Sequence, residues 1–426
     1  MISAILFISF FVFLILGLPI AICLGLSSVC AILYSGTSLT IVATNMYSGI
    51  SKFLLLAIPF FVLSGNIMAK AGISKRLIKF VDTCVGHKKG GIAIVCVIVA
   101  CFFGAISGSG PATVAALGAV LIPAMVEQGG FSAPFSTALM ATSSSIAIVI
   151  PPSIAFVVYA SITGVSIADM FMAGIVPGLL MGVALVIVVM LEAKKHNIKP
   201  SRERATGKER WDAFKDAFWG FLMPVIILGG IYGGIFTPTE AAAVSVIYSI
   251  IVGCVIYREL DLKKLIQCTK NACETTASIL IVIGCAAGFS KVLTLGRIPT
   301  TVASAMLALT DSKIVILLLI NVLLLIVGCF METLCAIMIL APILYPVVTA
   351  MGVDVTHFGI IMVVNLAIGF ITPPLGVNLF VASRVGETTL DTVIKGIIPF
   401  LALMIITLLC ITYIPAISMF LPNLMG

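Results

Sequence analysis

Long apolar runs alternate with short polar breaks along the whole chain. The runs fall at roughly 2–17, 19–34, 54–69, 131–162 and 168–191, then at 219–236, 239–257, 275–290, 356–384 and 389–416. Each approaches or exceeds the roughly 20 apolar residues that carry a helix across a bilayer. Two further stretches, about 91–126 and 313–350, are apolar but interrupted midway. The first interruption is Ser107-Gly108-Ser109-Gly110-Pro111 and the second Gly328-Cys329-Phe330-Met331-Glu332-Thr333. Each stretch is too long for one span and too short for two spans and a loop, so both are predicted to be re-entrant helical hairpins.

Composition narrows the class. Of 426 residues, 61% are hydrophobic and 10% charged, whereas about a quarter of the residues of a soluble domain are charged. The expected fold is therefore an all-α membrane protein. The run Ile2–Phe13 has no basic leader and no small-residue cleavage site, so it reads as a retained span. Twelve cysteines are scattered singly, with no C-x-x-C pair, and His87, His196 and His357 lie far apart. This is the pattern of small buried thiols and argues against a metal or disulfide framework.

The charges orient the spans. If 70–90, 192–217, 256–274 and 384–395 face the cytoplasm, they collect 20 of the 24 Lys and Arg residues, leaving Lys52, Lys291, Arg297 and Lys313 outside. Both termini are then expected on the periplasmic side. The net charge of +7 belongs to these loops and calls for no nucleic-acid partner. One clearly hydrophilic stretch, KKHNIKPSRERATGKER, lies within a basic linker at 192–218 that divides the chain into halves at 1–191 and 219–426.

The halves repeat each other. At an offset of 222, Pro151-Pro152 falls on Pro373-Pro374, Ala160-Ser161 on Ala382-Ser383, Asp169 on Asp391 and Pro177 on Pro399. With a slightly smaller offset, Pro19 matches Pro238, Gly108 matches Gly328, Thr113 matches Thr333 and Pro123 matches Pro342. About five spans and one hairpin per half is an odd number of crossings, so the second half must enter from the opposite side. Such inverted repeats mark secondary transporters, which bind cargo near the midplane between discontinuous helices.

The interruptions carry the candidate chemistry. A Pro-Pro pair removes two backbone donors and breaks its helix. At membrane depth, unwound backbone is tolerated only where it is buried or lines a cavity. The first break, in the helix about 131–162, is preceded by Ser143, Ser144 and Ser145; the second, about 356–384, is flanked by Asn365, Gly369, Thr372 and Asn378. Each break belongs beside its own hairpin tip, forming two cages of neutral oxygens that suit a monovalent ion. Taken singly, the small residues fit helix packing equally well. Glu332 is an ionisable group at the second tip and hence a functional candidate. Ser143, Ser144, Ser145, Asn378 and Arg384 are the candidate substrate ligands. Arg384 reads either as a partner for a substrate carboxylate or as a snorkelling interfacial residue.

The run GGIFTPTEAAA (233–243), the tip SGSGPATVAALG, the break IPPS and the segments MFMAGIVPGLLMG and ITPPLGVNLFVAS together resemble the large membrane subunit of TRAP transporters, the DctM-like family, over essentially the whole chain. The resemblance implies an elevator-type architecture in which hairpins and broken helices move against a scaffold braced by amphipathic arms such as 70–90 and 256–274. It implies one sodium ion (Na+) near Ser107, Ser109, Ala147 and Pro151, and another near Gly328, Glu332, Gly369 and Thr372. It further implies a smaller four-helix membrane subunit, expected to be a separate chain, and a periplasmic substrate-binding protein. The cargo would be a small organic anion, with sialic acid favoured over C4-dicarboxylates, imported across the bacterial inner membrane. A stand-alone ion-coupled carboxylate carrier is the alternative. An intramembrane enzyme is disfavoured, because the spans carry no Asp pair, metal motif or nucleophile with a partnered base.

Overall fold

The computed structural model describes residues 2–425, and among them every regular element is helical. Helices are the expected answer, because a bilayer offers no water to backbone amides and each segment must satisfy its own. The first half runs α1 (Ile2–Ile15), α2 (Ile20–Ser35), α3 (Thr40–Ile50), α4 (Ala57–Lys70), α5 (Ile73–Val85), α6 (Gly91–Ser107), α7 (Gly110–Glu127), α8 (Ala133–Ser145), α9 (Ile154–Thr163) and α10 (Ile167–Lys195). The second runs α11 (Gly207–Tyr232), α12 (Pro238–Ile250), α13 (Leu262–Leu295), α14 (Ile298–Leu309), α15 (Lys313–Phe330), α16 (Thr333–Ala350), α17 (Val355–Gly369), α18 (Val377–Val385), α19 (Leu390–Tyr413) and α20 (Ala416–Met425). Among the described residues, nine helical segments are long and apolar enough to cross a membrane.

Two helical hairpins, α6–α7 and α15–α16, occupy the predicted stretches, and each is followed by a broken helix, α8/α9 or α17/α18. The broken helices lie antiparallel. Near the end of one and the start of the other, Tyr159 Oη donates to Val355 O at 2.8 Å. At the opposite ends, a methyl on Gly386 would lie 2.9 Å from Thr137 Oγ1. The base of the first hairpin is at the linker end, where Gly90 packs against Ala193 and Phe131. The base of the second is held at the other end, by Lys313 Nζ donating to Gly352 O and Tyr413 Oη donating to Ile314 O. The hairpins therefore enter from opposite ends and point their tips at each other.

The structure differs from the sequence expectations in three places. The segment 256–274 is not an arm: α13 continues unbroken from Leu262 to Leu295, because no proline or left-handed residue interrupts it until Gly296-Arg297, where Arg297 has φ +53°. A separate short helix, α14, starts directly after that break with Pro299 in its first turn. The register of the hairpins also shifts. The residues that cap the second arm of each hairpin are Ser109 and Glu332, an offset of 223, and Pro346 takes the place expected for Pro342 opposite Pro123. Finally, α3 and α20 were not anticipated, since both are shorter than a span.

Within the basic linker only 196–206 is non-helical. It is tied down by Ser201 Oγ donating to Gly86 O and by Arg202, which pairs with Asp82 at 3.1 Å and with Glu209. The hydrogen bond from Arg202 holds the Glu209 carboxyl below the usual carboxylate range. A carboxyl with a depressed folded pKa stabilises above its ordinary pKa and loses that contribution as pH falls through the depressed value. Hydrogen exchange of 196–206, normalised for intrinsic rates, is accordingly expected to speed up on acidification in the wild type. In Arg202→Ala these amides should already be fast at neutral pH.

Candidate functional site at the two hairpin tips

At the first tip, Gly108 turns the chain with φ +60°, a conformation most side chains resist, and Ser109 is extended before α7 begins at Gly110-Pro111. The turn gathers oxygens. Ser107 Oγ and Thr113 Oγ1 are 3.0 Å apart, and Thr113 Oγ1 donates to Ser109 O at 2.8 Å. The first break faces this turn. A methyl on Gly104 would lie 2.6 Å from Ala147 Cα, and one on Gly108 would lie 3.0 Å from Pro152 O. Past Ala147, the Ser153 hydroxyl takes up Ile148 O at 2.5 Å, a carbonyl freed by the break before Pro151-Pro152.

The second tip is built differently from the same plan. Glu332 caps α16, its Oε2 accepting from Leu334 N at 3.0 Å and Cys335 N at 3.3 Å. A carboxylate at a helix amino terminus is favoured by both the free amides and the helix dipole. Gly328 and Gly369 touch backbone to backbone, a methyl on Gly369 falling 2.5 Å from Gly328 C and Cα. Gly376 N donates to Cys329 O across the same joint. Thr372 Oγ1 donates to Ile368 O at 2.8 Å and Thr372 N to Gly369 O at 3.0 Å. Each tip thus sits against its own break.

Both tips open into one cavity of about 540 Å³. Gly108, Ser109 and Gly110 line it from one side and Glu332, Thr333 and Cys335 from the other, with α13 adding Thr275 and Ser278. Thr333 Oγ1 is buried with no hydrogen-bond partner. No Lys or Arg is among the lining residues. The acceptors are hydroxyls, carbonyls and one carboxylate, a set that fits a small hard monovalent cation. No cluster of three His, Cys, Asp or Glu occurs among the described residues.

The predicted substrate residues are not on this cavity. Ser143, Ser144 and Ser145 are fully buried behind the first break. Ser144 and Ser145 return their hydroxyls to Ala141 O and Thr142 O, and Ser143 packs near Cys96. A hydroxyl that returns to a carbonyl one turn back has used its donor on its own helix, whereas Ser143 Oγ is buried without a hydrogen-bond partner. Asn378, also fully buried, donates to Ser144 Oγ at 3.0 Å and Ala141 O at 3.3 Å. It also lies beside Gly110 at the first tip, so it joins the two halves. Arg384 is exposed in the last turn of α18, away from the cavity. The sequence reading missed Thr275 and Ser278, and it named Thr333 only as part of the second tip. The signal for the first two was their spacing of three on one face of an apolar helix.

Comparison with known proteins shows the family. Residues 7–417 match the family described as "Tripartite ATP-independent periplasmic transporter, DctM component". The chain is 48% identical over 412 residues to the isethionate TRAP transporter permease protein DctMQ of Oleidesulfovibrio alaskensis, covering 96% of this chain but only 65% of that longer protein. It is 43% identical to the C4-dicarboxylate TRAP transporter large permease protein DctM of Pseudomonas aeruginosa, covering 95% and 94% of the two chains. To the sialic acid TRAP transporter large permease protein SiaM of Vibrio cholerae it is 38% identical, covering 92% of each. Among solved structures, the YdaH transporter of Alcanivorax borkumensis shares the fold at a TM-score of 0.63 and 16% identity, covering 88% and 86%. These relatives are transport permeases and not enzymes, and the chain belongs to the DctM family of multi-pass TRAP transporter permeases.

Proposed function

We propose that this chain imports a small organic anion across the bacterial inner membrane, driven by sodium and fed by a periplasmic substrate-binding protein. The observation that carries this reading is the shared cavity between two oxygen-rich tips. It contains a carboxylate and no basic side chain, so an anion entering it meets repulsion unless cations are bound there first. Ion binding at Ser107, Ser109, Ala147 and Pro151, and at Gly328, Glu332, Gly369 and Thr372, supplies that positive charge and couples the two fluxes. The relatives' names span isethionate, C4-dicarboxylates and sialic acid. Their shared chemistry is a small organic acid, and sialic acid remains one member of that class.

The hairpins and broken helices form the moving body of an elevator, and α1–α4 with α11–α13 form the scaffold against which it slides. The division at 192–218 separates two inverted repeats, with the linker cytoplasmic and both termini periplasmic. A four-helix small membrane subunit completes the membrane part. The test is reconstitution in liposomes. Uptake should require an inward sodium gradient, the small subunit and the binding protein together. Uptake by this chain alone would favour the stand-alone carrier and sink the tripartite reading. Within the functioning system, Ser107→Ala and Thr372→Ala are expected to shift the sodium titration of uptake to higher concentration. An unchanged titration in both would remove them from the ion sites.

A further inference from the structure

A second cavity of about 560 Å³ lies behind the first break, away from the tips. Its back wall is α6, with Ile98, Cys101 and Phe102, and its flanks are α10 and α11. Ile150 and Pro151 of the first break form part of the wall. The lining carries no charged side chain, and an apolar cavity does not hold water. It opens sideways, since Leu179, Val183 and Met190 along α10 are each more than half exposed.

Two helical stripes lead from this crevice to the basic end of the molecule. On α10, Leu179, Val183, Ile187 and Met190 recur at helical spacing, and the next residue on that face is Lys194. On α11, Leu228, Pro224, Phe221 and Phe214 recur likewise, and the next is Arg210. Arg210 is only partly exposed, and its Nε is buried without a hydrogen-bond partner. Of the acids nearest in sequence, Glu209 pairs with Arg202 and Glu192 with His196, while Asp212, two residues along from Arg210, forms no ion pair among the described residues. An apolar slot with Lys194 one turn beyond its α10 wall, and Arg210 further along α11 toward the same linker end, matches an acyl chain below a phosphate.

We propose that this crevice is a binding site for an anionic phospholipid. One acyl chain lies between α10 and α11 against Ile150 and Pro151, and the headgroup phosphate sits between Lys194 and Arg210. The chain packs on the back of the first break, so the lipid supports the wall of one ion site from outside it. Phosphate recognition by a guanidinium is the stronger half of the headgroup contact.

The full chain in phosphatidylcholine nanodiscs, doped with phosphatidylglycerol carrying a photoactivatable acyl chain, tests this. Cross-links mapped by mass spectrometry should concentrate on Phe102, Leu179 and Val183, several-fold above those from photoactivatable phosphatidylcholine. The double variant Lys194→Ala/Arg210→Ala, altered at the linker ends of α10 and α11, should abolish the difference between the two lipids. Val183→Trp should remove the cross-links by filling the slot, and Leu26→Trp, on the exposed face of α2, should leave them unchanged. Equal labelling by both lipids would overturn the proposal, as would labelling spread evenly over α1 and α2. Adding the small membrane subunit should leave the labelling intact; its loss would make a protein helix the occupant.

Discussion

Gly369→Ala is expected to cut sodium-dependent uptake by roughly one to two orders of magnitude while leaving the protein in the membrane. The added methyl would sit 2.5 Å from the Gly328 backbone, closer than carbon atoms approach. The neighbour is main chain and cannot rotate away, so the second hairpin must lift off its break. Overpacking of this kind costs about 1–3 kcal/mol, and at 1.4 kcal/mol per tenfold it predicts a loss of roughly 5- to 140-fold in occupancy of the tip geometry. Gly328→Ala meets Gly369 Cα at 3.1 Å and should be milder. Uptake into proteoliposomes, with detergent-solubilised melting as a check on folding, reads both. Wild-type uptake by Gly369→Ala would show that the tip and break need not touch during transport.

Asn378→Leu is the second large effect. Asn378 is fully buried, and its amide donates to Ser144 Oγ and Ala141 O from the other half of the chain. A side chain of similar size without donors removes both hydrogen bonds that cross between the halves, about 0.5–1.5 kcal/mol each, while Ser144 Oγ keeps its own bond to Ala141 O. The two broken helices are held together at this point, close to Gly110 of the first tip. The expected result is a lower melting temperature together with loss of uptake. A variant that melted normally and transported normally would show that the joint contributes nothing.

Most of the site's skeleton was legible in the chain. Pro151-Pro152 and Pro373-Pro374 announce helix breaks because proline lacks a donor, and the runs 91–126 and 313–350 announce hairpins by their length alone. That each tip meets its own break followed from their order, and the contacts of Gly104 with Ala147 and Gly328 with Gly369 bear it out. The side chains were less legible. The serines at 143–145 look like ligands in a linear reading, yet their facing depends on helix phase, and the structure turns them into the protein. Glu332 looks like a bare charge, but its first partners are the amides of its own helix.

Local rules therefore determined the class, the two hairpins, the breaks and the basic linker, since hydrophobic length and proline chemistry act over a few residues. Only the tertiary packing decided which oxygens share a cavity. Thr275 on α13 and Glu332 on α16 both line it, although nothing in either segment alone names the other. That pairing arises because antiparallel halves bring both tips to one place, and distance in space is a property no local pattern encodes.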